Sequence, residues 1–275
     1  MNKIKLIAID LDDTLLNSNS QISQENLSAI HQLKLKNVVF APCSGRTIGE
    51  MPDSITKNPD IRYIIHSNGA TILDKETGQK TYACLSADRA RMVFTVLSNF
   101  QAHLTIRANG NSYIKVDSVN DYNINFYNLC PSHVNALDNY AVGITDFDEW
   151  KFSLDKIEVV SAFFHSNEEL ENAKEILQKN EDLLTVSVAP FNLEIMSKRA
   201  GKGNGIITLA NTLGVDLENV AGVGDSGNDL PMMQAVKIRF AVSNATAQLK
   251  AVCDKVICSN DEHAVSYILN NFINE

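Results

Sequence analysis

The chain is short of positive charge: 24 Lys and Arg stand against 33 Asp and Glu in 275 residues, a formal charge of −9, and no Lys/Arg cluster stands out. A nucleic-acid surface needs such a cluster to neutralise phosphates in a row, so none is expected. The five cysteines, Cys43, Cys84, Cys130, Cys253 and Cys258, are scattered and lack a CxxC spacing. That disfavours a disulfide framework and a zinc site and leaves reduced thiols. No apolar run approaches the length of a membrane span, and the stretch before Asp10 is too short for a signal-peptide core. Repeats and low-complexity tracts are also missing. These absences predict a cytoplasmic protein with neither nucleic acid nor membrane as partner. With so acidic a chain, any anionic substrate must be held by local cations and backbone donors. At 44% hydrophobic and 21% charged residues, the sequence can bury a sizeable core as one large or two ordinary domains.

Against that background one run stands out. Residues 3–9 form a nearly continuous apolar block, as expected of a strand covered on both faces, and end abruptly in Asp10-Leu11-Asp12-Asp13-Thr14. Asp10 is therefore expected at the carboxyl end of a buried strand, where open α/β sheets bind ligands. If the extended course continues, Asp10 and Asp12 face one crevice and Asp13 points elsewhere. Two carboxylates in one pocket repel, and a divalent cation relieves that repulsion. A solvated turn after an edge strand is the plain alternative.

Ser23 can cap a helix with apolar positions Leu27, Ile30, Leu33 and Leu35, and Asn37 stands where a left-handed stop is expected. Strands are expected at 38–41 and 61–65. Strand and helix alternating on short links mark a parallel sheet. After Gly78 the character changes. Strands are expected at 80–85, 104–106, 112–116 and 157–164, helices at 88–100 and 168–179, and Asn109-Gly110 is a hairpin signal suited to an antiparallel sheet. Residues 117–150 are polar, rich in Asn and Asp, and carry no readable period. Two more strands, 184–189 and 192–198, flank Pro190. From Gly203 the parallel style returns with a helix stopped at Gly214 and strands at 220–223, 238–242 and 255–258.

A second charged strand end is Gly222-Val223-Gly224-Asp225-Ser226-Gly227-Asn228-Asp229. Its glycines permit a tight turn and close ligand approach, and its acids offer hard oxygen ligands suited to Mg²⁺. Ser44-Gly45-Arg46 closes the second strand, where a hydroxyl and backbone N–H groups ahead of a helix can hold a phosphate oxygen. Lys202, between glycines at a helix start, can reach an anion. Each has an ordinary reading as a capped turn or a solvated loop, and only their order makes the set specific.

Asp-x-Asp-x-Thr, Ser-Gly-Arg, a lysine and Gly-Asp-x-x-Asn-Asp, in that order, resemble the haloacid dehalogenase superfamily. The long insertion, with Ser67-Asn68-Gly69-Ala70 and Leu193-Glu194-Ile195, is similar to the Cof-type phosphatases, which include sugar-phosphate phosphatases. The resemblance implies an α/β fold: a Rossmann-like parallel-sheet core of residues 1–81 and 193–275, and an inserted α/β cap of mixed or antiparallel sheet at 82–192. It further implies Asp10 as nucleophile and Asp12 as general acid/base. Leu11, Ser44, Gly45, Lys202 and Asn228 would hold the phosphoryl group, and Asp10, Asp12 (through its carbonyl), Asp225 and Asp229 the Mg²⁺ and its waters. The implied activity is Mg²⁺-dependent hydrolysis of phosphomonoesters of small metabolites through an aspartyl phosphate, in a monomer or homodimer. Thr14 is expected to bond backbone near the nucleophile. Two positions depart from the family pattern: Asp13 and His263 stand where glycine is frequent, His263 as a surface residue or a substrate contact.

Two other readings share part of this set. A phosphomutase uses the same phosphoenzyme but must exclude water, and a phosphoryl-accepting regulatory domain keeps the acidic pocket and lysine without needing Asp12. The core set recognises no more than a phosphate and a metal. The insertion is therefore expected to fold separately as a hinged lid that selects the leaving group.

Overall fold

The computed structural model describes residues 4–274; Lys3, where the first strand is expected to begin, lies outside them. Five strands form a parallel sheet in the order Lys255–Val256, Ile238–Ala241, Val220–Gly224, Leu6–Ile9, Val39–Pro42. Leu6–Ile9 is buried along its whole length, as a strand covered on both faces must be. It lies between Val220–Gly224 and Val39–Pro42, with Ile9 level with Val223 and Pro42. The three chain segments carrying Asp10, Ser44 and Asp225 therefore leave the sheet side by side at one edge.

Helix Gln24–Leu35 starts where Ser23 accepts a hydrogen bond from the Asn26 N–H, and Asn37 follows at φ 58°. Helix Lys202–Leu213 ends at Gly214 in the left-handed conformation. The strand expected at 61–65 departs from the parallel plan. Tyr63–His66 touches the sheet through the single parallel bridge Cys43–Ile65, then turns back antiparallel into Thr71–Asp74. The residues between, Ser67, Asn68 and Gly69, all have positive φ and reverse the chain. Lys80–Tyr82 completes this three-stranded sheet, so the strand expected at 80–85 is shorter and does not open the insertion's sheet.

The chain divides into two compact units, one of residues up to Gly45, Pro52–Thr81 and Gly201 onward, the other of Arg46–Met51 and Tyr82–Ala200. The second unit is a six-stranded sheet in the order Leu183–Val186, Asn192–Ser197, Ile157–Phe164, Ala102–Ala108, Asn111–Lys115, Ala141–Ile144, antiparallel except for its last pair. Helices Ala87–Leu97 and Asn167–Gln178 contribute Val93, Phe94, Leu97, Leu170 and Leu177 to one apolar core with Ile106, Val160, Phe164 and Ile195. The return to the first unit expected at 192/193 falls inside strand Asn192–Ser197. That strand pairs on both sides within the second unit's sheet, so the crossing comes at Ala200–Gly201. The unreadable stretch holds three short helices: Asp121–Phe126, capped by Asn120; Pro131–Tyr140, opened by Pro131; and Phe147–Trp150, which has no side-chain cap. No helix among the described residues is long and apolar enough to cross a membrane.

Candidate active site

Asp10 is fixed by its backbone: its N–H donates to Val223 O at 2.9 Å and its carbonyl accepts from the Leu15 N–H. Its side chain is buried. Asp12 keeps extended dihedrals and is exposed, and Asp13 then turns left-handed at φ 53° with its carbonyl accepting from Asn244 Nδ2 at 2.8 Å. The family's glycine at that place fits the same geometry without the strain an aspartate carries there. His263 does likewise at φ 65°, its Nδ1 2.9 Å from Ser23 Oγ at the first helix's start.

Thr14 does not bond backbone as expected. Its hydroxyl donates to Asp225 Oδ1 at 3.3 Å, linking the two charged strand ends across 211 residues of sequence. Asp229 folds back over its own turn, where its Oδ2 accepts from the Asp225 and Ser226 N–H groups. A Cβ on Gly224 would lie 2.5 Å from that oxygen, so the turn requires glycine for space. Ser226 Oγ donates to Asn228 Oδ1 at 2.7 Å.

Lys202 is buried at the first turn of its helix, and its Nζ donates to Asp10 Oδ1 at 2.7 Å and Asp229 Oδ1 at 2.6 Å. It is thus a spoke between carboxylates rather than a loop ammonium. Ser44 is buried at its strand end, its N–H donating to Ile65 O. The helix expected after Ser44-Gly45-Arg46 is only the turn Ile48–Glu50 and the four residues Asp53–Thr56. Gly45 and Leu11 flank the site, Leu11 buried. Sequence reasoning missed Asn68, whose N–H donates to the Ser44 carbonyl and whose carbonyl accepts from the Gly201 N–H. The signal was present in Ser67-Asn68-Gly69, residue types that tolerate left-handed turns.

Burial raises the Asp10 carboxyl well above its usual range against the pull of Lys202, and Asp229 and Asp225 add to the rise. Asp225 is raised to about 6, first by burial, then by Asp229 against Lys202 and Thr14, with Asp13 adding a little. Burial alone would lower Lys202, but Asp10 and Asp229 hold it well above the ordinary lysine value. Carboxylate oxygens of Asp10, Asp225 and Asp229 lie within 4.8 Å of one another. When all three are ionised, as a bound cation would favour, three carboxylates against one ammonium leave two negative charges uncompensated. An all-oxygen set with a deficit of two fits a hard divalent cation such as Mg²⁺.

A family model described as haloacid dehalogenase-like hydrolase matches residues 7–269. Phosphatase YwpJ of Bacillus subtilis is 29% identical over 98% of this chain and 100% of its own length. The 5-amino-6-(5-phospho-D-ribitylamino)uracil phosphatase YwtE of the same organism is 27% identical over 98% of each. A solved haloacid dehalogenase-like hydrolase from B. subtilis superposes with a TM-score of 0.81 at 29% identity, covering 98% of this chain and 100% of that one.

Proposed function

The chain belongs to the haloacid dehalogenase-like hydrolases and is a phosphatase, and on that premise we propose that it hydrolyses phosphomonoesters of small metabolites, sugar phosphates or similar, through an aspartyl phosphate on Asp10 with Mg²⁺ as cofactor. The observation that carries this reading is the meeting of Asp10, Lys202, Asp225 and Asp229 at the carboxyl ends of two adjacent central strands.

The reaction divides into two displacements. An oxygen of the Asp10 carboxylate bonds to phosphorus while the ester P–O bond breaks and the Asp12 carboxyl gives its proton to the departing alkoxide. Water then attacks the same phosphorus as Asp12 takes its proton, and the Asp10–phosphorus bond breaks to release inorganic phosphate. Throughout, Lys202, the Ser44 hydroxyl, the Leu11 and Gly45 N–H groups and Asn228 hold the phosphoryl oxygens. Because these donors are fixed beforehand, they act where charge is spread in the transition state. Asp10, the Asp12 carbonyl, Asp225 and Asp229 would hold Mg²⁺, which when bound would supply positive charge to offset that on the phosphoryl oxygens.

We assign discrimination among esters to the insertion of residues 82–200. The substrate for which YwtE is named makes a ribityl phosphate one member of the panel that tests the reading. Purified protein with Mg²⁺ is incubated with phosphorylated metabolites and scored for phosphate release, and Asp10→Asn serves as the blank. Release from no phosphomonoester, or equal release by the blank, overturns the proposal.

A further inference from the structure

Three successive residues, Ser67, Asn68 and Gly69, sit at φ 51°, 53° and 77°. Side-chain-bearing residues visit that region singly and unfavourably, and such a run persists only where its surroundings over-determine it. Here they do. The Asn68 N–H donates to the Ser44 carbonyl at 3.0 Å, and the Asn68 carbonyl accepts from the Gly201 N–H at 2.7 Å. Residue 68 is thereby bonded to the strand end that carries Ser44 and to the residue just before Lys202. Space is as tight as the bonding: a Cβ on Gly69 would lie 2.3 Å from Gly201 O, and one on Gly205 would lie 3.1 Å from Gly69 Cα. His66, fully buried, steadies the turn from its other side, with Nδ1 3.0 Å from Ser67 Oγ.

We propose that the backbone of residue 68 is a positioning element that sets the spacing between Ser44 and Lys202, so that both reach oxygens of one phosphate. The inference rests on the assignment of Ser44 and Lys202 to the phosphoryl group. It makes the left-handed conformation the working feature and Asn68 the residue type that permits it.

The test is the affinity of the intact protein for inorganic phosphate at saturating Mg²⁺, measured by calorimetry beside its affinity for Mg²⁺ alone. Asn68→Ala, which strains the turn, should weaken phosphate binding at least threefold, and Gly69→Ala, whose Cβ displaces Gly201, at least tenfold. Asn68→Gly keeps the turn and both backbone bonds and should bind phosphate more tightly than Asn68→Ala. Mg²⁺ affinity should hold within twofold throughout. Should Gly69→Ala fail to fold, the Ala and Gly pair at position 68 decides. A folded Asn68→Ala protein with wild-type phosphate affinity overturns the proposal. So does an Asn68→Gly loss equal to the alanine's, or a parallel loss of Mg²⁺ affinity. Ser44→Ala separates the two layers: if it leaves phosphate affinity unchanged, the assignment of Ser44 fails and the spacing role falls with it. If it weakens phosphate while the turn variants do not, only the spacing role fails.

Discussion

Lys202 Nζ stands 2.7 Å from Asp10 Oδ1, both groups being buried. The proposed nucleophile is thus oriented before any substrate arrives, by the same cation assigned to the phosphate.

Removing that cation strands two carboxylates. Lys202→Met should abolish turnover and destabilise the metal-free protein by about 3–5 kcal/mol at neutral pH, the usual penalty for breaking a buried pair from one side. Thermal unfolding measures it, and an unchanged midpoint would mean that Asp10 and Asp229 are neutral without Lys202.

Asp10→Asn keeps the shape and removes the proposed nucleophile. Turnover should fall on the order of 10³-fold or more while the unfolding transition stays cooperative. Activity within tenfold of wild type would remove Asp10 from its role.

Asp225 carries the pH dependence. Its folded pKa of about 6 exceeds the ordinary 3.8, so the ionised form is disfavoured by folding. The resulting penalty is absent below pH 3.8, grows between the two values and is complete above about 6. Asp225→Asn should therefore stabilise the metal-free protein above pH 6 and do nothing near pH 3.5. One pKa unit is worth about 1.4 kcal/mol, and partial exposure discounts the total to the order of 1–2 kcal/mol. Mg²⁺ affinity of the wild type should in turn weaken as pH falls through 6. A stability difference independent of pH would contradict the assignment.

Chelation should stop hydrolysis and added Mg²⁺ restore it, because the ligand set is oxygen only. Asp225→Ala should bind Mg²⁺ weakly and turn over slowly. Normal binding and rate in that variant would reduce Gly224-Asp225 to a turn.

Asp12→Ala separates leaving groups. The phosphorylation burst should slow far more for an alkyl phosphate than for p-nitrophenyl phosphate, whose leaving group scarcely needs a proton. Burst kinetics are required because the proposed second displacement also uses Asp12. Equal losses would take Asp12 out of the acid role.

The central strands and their charged ends were legible because a strand buried on both faces writes itself as an apolar block, and Asp10 and Asp225 interrupt such blocks abruptly. Helix limits at Ser23, Asn37 and Gly214 were legible from capping chemistry. What escaped depended on contacts between distant segments. Nothing local in Thr14 points to Asp225, and nothing in 192–198 says which sheet its strand joins. The 61–65 stretch has ordinary parallel-strand composition, and its reversal is decided by a three-residue turn. The Asn- and Asp-rich 117–150 segment forms helices too short to show a period, so its order comes from caps and packing.

The polypeptide crosses between the two units four times, and the first and last crossings fall between Gly45 and Arg46 and between Ala200 and Gly201. Ser44 lies one residue before the first crossing and Lys202 one after the last. Each is therefore joined covalently to a segment of the second unit on one side and to the parallel sheet or its helix on the other. Sequence drift in the insertion is in that sense not silent at the chemistry. A change that shifts the backbone at Arg46 or Ala200 reaches a residue proposed to hold phosphate within two peptide units, so variants far from any reacting atom belong in a survey of catalytic rate as well as of specificity.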